Sequence, residues 1–93
     1  MKNPKIIIIR KKLDKVDLKL LLLIKKRTNL VNTIIKLKKS KNEIVDKKRI
    51  NFILKKIKLK SLKLKIDPLI TVNIWREMIK TFIKYEFKNF KKK

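Results

Sequence analysis

The sequence predicts an all-α chain of three helices with a long first helix, and three observations carry that expectation. None of the 93 residues is Gly, so tight β-hairpins lose their commonest turn residue. From Leu13 to Leu37 apolar residues recur at alternating steps of three and four, the heptad rhythm of helices that pack on helices. Asn3-Pro4 and Asp67-Pro68 each set a capping side chain before a Pro at the first helical position, and Asp46 offers a further cap.

Helix one is expected from about residue 4 to 39. Its first stripe is Leu13, Val16, Leu20, Leu23, Leu30, Ile34 and Leu37, and the slot between Leu23 and Leu30 is filled by Arg27. A second stripe, Leu21, Ile24, Thr28, Val31 and Ile35, runs beside it and arrives at Lys38. Two adjacent stripes imply burial on a broad face, against more than one partner. Asp14 and Asp17 offer local partners to neighbouring cations. An Arg in an apolar seam calls for an anionic neighbour, because a broken buried pair costs on the order of 3 to 5 kcal/mol.

The polar run Ser40 to Glu43 interrupts the periodicity and reads as a loop. Asp46 then caps helix two, expected over about 46–61, with Ile50, Ile53, Leu54 and Ile57 as its apolar face. From Ile57 to Ile66 apolar residues alternate with Lys or Ser, which by period alone is a strand. A strand without a pairing partner is unstable, so a helix fraying into a connector is preferred. Helix three is expected over about 67–90. Its stripe is Leu69, Ile70, Ile74, Met78, Ile79, Phe82 and Ile83, extended by Trp75, Tyr85 and Phe90. The tail, residues 91–93, is expected to be disordered.

Composition narrows the chemistry. With no Cys and no His, disulfides, thiol chemistry, the usual zinc ligands and imidazole triads are absent. Without Gly there is no phosphate-cradling Gly loop. No cofactor and no metal are expected. No apolar run reaches the length of a membrane span or of a secretory signal core, so a cytoplasmic location and no membrane partner are expected. A chain this short buries a limited fraction of its surface alone, and oligomerisation is the first expectation.

The net charge of +23 invites a nucleic acid or an anionic membrane as partner. The excess is nearly all Lys in a sequence also rich in Ile and Asn, a pattern that a bias toward AT-rich codons produces on solvated faces. Against it, the four Arg residues, Arg10, Arg27, Arg49 and Arg76, are the informative cations, since Arg differs from Lys by its planar fork for carboxylates and phosphates.

On one helix Arg27 and Lys38 lie about three turns apart, roughly 16 Å along the axis, on nearly the same face. Arg10 lies some 25 Å before Arg27 and is rotated from it by about 100°. One small ligand does not easily touch both from a single helix, whereas antiparallel packing of two copies brings Arg10 of one toward Arg27 of the other. The spacing therefore favours a dimer with two shared sites. Each residue also has a plainer reading. Arg10, beside Lys11 and Lys12, belongs to a solvated patch; Arg27 snorkels outward or pairs with Glu86 or Asp46; Lys38 is one Lys among many; Arg49 and Asp46 form a local helix pair; Trp75 and the Phe side chains are core.

Taken in order, the stretch Arg10 to Asp17, Leu21-Leu22, Arg27, Lys38, Asp46 to Arg49, Asp67-Pro68, the Ile74 to Ile79 segment and Glu86 resembles the all-helical chorismate mutases. These enzymes interconvert chorismate and prephenate in aromatic amino-acid biosynthesis. The resemblance implies an intertwined homodimer of three-helix subunits. It gives Arg10, from the other subunit, and Arg27 and Arg49 to the substrate's carboxylates, and Asp46 to its hydroxyl. Lys38 and Glu86 are given to the breaking ether oxygen, and a Glu in that role must be protonated to donate. Two positions depart: Ile50 stands where the family usually has Glu, and Phe82 where a small hydroxyl residue is common. The loop after Lys38 is one residue shorter as well. These changes bear on substrate affinity and rate. The alternatives are isochorismate pyruvate lyase of the same fold, an inactive protein of that fold, and a non-catalytic basic helical nucleic-acid binder.

Overall fold

A computed structural model describes residues 3–91; Met1, Lys2, Lys92 and Lys93 lie outside the description, and with them most of the tail expected to be disordered. Three helices follow in order, α1 (Pro4–Leu37), α2 (Lys47–Lys63) and α3 (Pro68–Asn89), and no strand occurs among the described residues. Two compact units divide the chain at Asn32 and Thr33, the first within Met1–Asn32 and the second within Thr33–Lys93.

Each helix starts where a short polar side chain takes an otherwise orphaned N–H group. Asn3 Oδ1 accepts from Lys5 at 2.9 Å, Asp46 Oδ1 from Arg49 at 3.0 Å, and Asp67 Oδ1 from Leu69 at 2.9 Å. The two Pro residues sit at the first helical position, where a missing N–H costs nothing. The helix-two cap corrects the local reading of Asp46 and Arg49: the carboxylate takes the backbone N–H of Arg49, not its guanidinium.

The first unit is the body of α1, and its apolar residues are almost all exposed. Ile6 to Ile9, Leu13, Val16 and Leu20 to Ile24 each stand more than two-fifths open, with Leu23 at 62%. Thr28 turns its hydroxyl back onto the Ile24 carbonyl at 2.8 Å. Val31, of the second stripe, is the buried apolar residue of this unit. Neither Asp14 nor Asp17 forms an ion pair among the described residues, contrary to the expected local pairing.

The second unit contains the α1 end, the loop, and α2 packed against α3 as a helical hairpin. Its buried apolar residues are Ile35, Ile44 and Ile79. On α2 the half-buried face is Ile50, Ile53, Leu54 and Ile57, continued by the buried Ser61. Ser61 Oγ donates to the Ile57 carbonyl at 2.6 Å and lies 2.6 Å from Thr71 Oγ1, tying the end of α2 to the start of α3. The alternating stretch is thus helical through Lys63, held there by packing that a period-two pattern does not show.

The connector closes without Gly. The Ile66 N–H bonds the Ser61 carbonyl at 2.8 Å and the Lys65 N–H bonds the Leu62 carbonyl at 3.2 Å, the paired bonds of a Schellman cap. That cap needs a left-handed residue, and Lys65 fills it at φ 59°. In α3, Ile79 is buried, and Met78, Phe82, Ile83, Trp75 and Tyr85 are half-buried. Phe82 and Tyr85 meet edge to face at 6.2 Å. Leu69, Ile70 and Ile74, expected in the same stripe, are exposed.

Candidate active site

Two of the six candidate residues are brought into direct contact. Lys38 follows the last residue of α1, its N–H still bonding the Ile34 carbonyl at 3.1 Å. Glu86 sits near the end of α3 and is buried. Their side chains meet at 2.8 Å, Lys38 Nζ donating to Glu86 Oε1, with side-chain exposures of 19% and 11%. Forty-eight residues separate them in sequence. In a pair so enclosed, removing one partner leaves the other poorly solvated and unpaired, which is costly. In this contact Glu86 Oε1 is the acceptor.

Beside this pair lies an open groove of about 490 Å³ lined by Lys38, Asn42, Glu43, Val45, Asp46 and Lys48, among others. Lys38 and Asp46 therefore share a cavity, as sites for one ligand must. Arg49 does not line it. Its guanidinium carbon lies 5.4 Å from the centre of the Phe52 ring, and Lys56 approaches the same ring at 5.8 Å, so both cations sit on an aromatic face. Ile50 and Phe82, the two departures from the family pattern, are both half-buried.

Arg10 and Arg27 belong to the first unit. Arg10 is exposed, and Arg27 is half-buried with its Nη1 shielded from solvent. Their separation of seventeen residues on one unbroken helix is as the sequence implied. Among the described residues, no group of acidic side chains has the arrangement of a metal site, and no helix is long and apolar enough to cross a membrane.

The loop contains what the sequence reading passed over. Lys41–Glu43 form a single 3-10 turn, and the Glu43 carboxylate accepts the N–H groups of both Ser40, at 2.9 Å, and Lys39. Those two backbone bonds, Ser40 first, hold the Glu43 carboxyl below the usual carboxylate range, with the charges of Lys38 and Lys39 adding to the effect. The signal was present, because Ser40-x-x-Glu43 has the spacing of a capping box. Ile44, only 4% exposed, follows directly and is the most deeply buried apolar side chain described. A lone apolar residue after a polar run has no period to reveal it.

A family model for chorismate mutase type II matches residues 9–87, a span that includes all six candidate residues. No curated protein and no solved structure gives a match. With an all-helical fold and that match over most of its length, the chain belongs to the chorismate mutase type II family, the isomerases of aromatic amino-acid biosynthesis that rearrange chorismate to prephenate.

Proposed function

We propose that the chain acts as an intertwined cytoplasmic homodimer forming one mutase-type domain per copy, with two sites built across the subunits. In each site Arg10 of one subunit joins Arg27, Lys38, Asp46, Arg49 and Glu86 of the other. The single observation that carries this reading is the 2.8 Å contact of Lys38 with Glu86. It brings together, from the end of α1 and the end of α3, the two side chains that the family resemblance assigns to one ether oxygen.

The chemistry asks for little beyond these groups. In a pericyclic rearrangement one carbon–oxygen bond breaks as one carbon–carbon bond forms within the same molecule, so the protein supplies no nucleophile. Its tasks are to hold the dianion in the reactive conformer and to stabilise charge developing on the ether oxygen. Arg10 of the partner copy, Arg27 and Arg49 oppose the two carboxylates, and Asp46 meets the ring hydroxyl. Lys38 donates to the ether oxygen from one side, and Glu86 in its neutral form donates from the other. Without substrate these two groups satisfy each other; binding replaces that bond with two bonds to the oxygen.

The exposed face of α1 supports the dimer. Many large apolar residues between Ile6 and Ile24 are left exposed, and extended exposed apolar surface marks an interaction site. A second α1 offers a complementary apolar stripe of the same length, and antiparallel pairing also brings in the partner's Arg10.

The test is chorismate consumption by purified protein and its variants. Lys38→Ala and Arg27→Ala are each expected to lower turnover by about 10² to 10³ while sedimentation still reports a dimer. Wild-type turnover in either variant would sink this site. Faster consumption of isochorismate, with pyruvate released, would instead place the chain with the lyases of the same fold.

A further inference from the structure

Lys38 has to place an ammonium on a single oxygen, yet it sits where α1 has ended and an exposed loop begins. Its own N–H is the last to follow the helical ladder, bonding Ile34. The next two N–H groups, of Lys39 and Ser40, lie past the end of α1. Both converge on one oxygen, Glu43 Oε2. Hydrogen bonds to an ionised acceptor are about twice as strong as neutral ones, and two from successive residues fix the direction of the backbone between them. The far end of the same turn is anchored by the buried Ile44. The residue carrying the ammonium is thus clamped between a helix end and a pinned turn. Glu43 also lines the groove together with Lys38 and Asp46.

We infer that Glu43 is a positioning residue for Lys38: by binding the Lys39 and Ser40 N–H groups, its carboxylate sets the exit path from α1 and hence the aim of the Lys38 ammonium. The inference rests on the assignment of Lys38 to the ether oxygen. Glu43 itself touches no reacting atom. Its work is geometric, and geometry is costly to lose, since a displacement of about 1 Å at a reacting group lowers rates by up to roughly a hundredfold.

Two substitutions separate geometry from charge. Glu43→Asp keeps the charge but is one methylene too short to reach both N–H groups; Glu43→Gln loses the charge but keeps an acceptor oxygen at the same reach. Steady-state chorismate kinetics are measured for both, for Lys38→Ala, and for the double variant Lys38→Ala/Glu43→Asp, with circular dichroism reporting the fold. Glu43→Asp is expected to lower kcat by about ten- to a hundredfold with KM changed less than about twofold. Glu43→Gln is expected to keep kcat within about threefold of wild type. In the double variant the Asp substitution adds nothing to the loss caused by Lys38→Ala, because the two residues act as a unit. The inference is overturned if Glu43→Asp is as fast as wild type, if Glu43→Gln is as slow as Glu43→Asp, or if the losses multiply in the double variant. Each of those results leaves the site standing provided Lys38→Ala is slow; a fast Lys38→Ala removes the site and the inference together.

Discussion

Replacing Glu86 by Ala is expected to lower chorismate turnover by about 10² to 10³, whereas Glu86→Gln is expected to keep most of it. Glu86 Oε1 lies 2.8 Å from the Lys38 ammonium, and only 11% of its side chain is exposed. The ether oxygen of the substrate, gaining negative charge, needs a donor at the same place. A single donor of this kind is worth about 10² to 10³ in rate. In Glu86→Gln the amide carbonyl still accepts from Lys38 while the amide NH2 donates to the ether oxygen. In Glu86→Ala both bonds are gone, and Lys38 loses its partner. The assay is loss of chorismate absorbance, with a thermal melt of each protein to confirm folding. A folded Ala variant as fast as wild type, or a Gln variant as slow as the Ala variant, would refute the reasoning.

Three further outcomes follow from the fold. Lys65→Gly should stabilise the chain by up to about 1 kcal/mol, because Lys65 holds the left-handed cap at φ 59° against its Cβ; an unchanged or lower urea midpoint would contradict that cap. Ser61→Ala should cost about 1 kcal/mol, since it removes the bridge to Thr71 between α2 and α3, and denaturant unfolding measures it. Leu23→Glu, on the exposed stripe of α1, should shift sedimentation from dimer toward monomer, as a charge is driven into an apolar seam; a dimer of unchanged stability would place the interface elsewhere.

The family resemblance was legible because its residues recur in a fixed order along helices whose caps are plain in the sequence. Asn3, Asp46 and Asp67 start their helices as short polar side chains do, through bonds made within two or three residues. The all-helical class followed from those caps, from the three-and-four stripes and from the absence of Gly. The alternating Ile57 to Ile66 segment was harder. Its pattern favours a strand, and the helix is retained because Ser61 is buried and bonded across to Thr71, a contact ten residues away that no local period encodes.

The site divides in the same way. The family resemblance named Lys38 and Glu86 as candidates, and the stripe pattern marked Arg27 as a cation within an apolar seam. Only the tertiary structure showed that Lys38 and Glu86 meet at 2.8 Å, that Arg49 lies over Phe52, and that Glu43 and Ile44 fix the turn after Lys38. The physical reason is one of range. Capping and stripe periodicity are set by neighbours within a turn or two and are written in residue order. Which charges approach each other, and which lone apolar side chain is buried, depends on where distant helices come to rest.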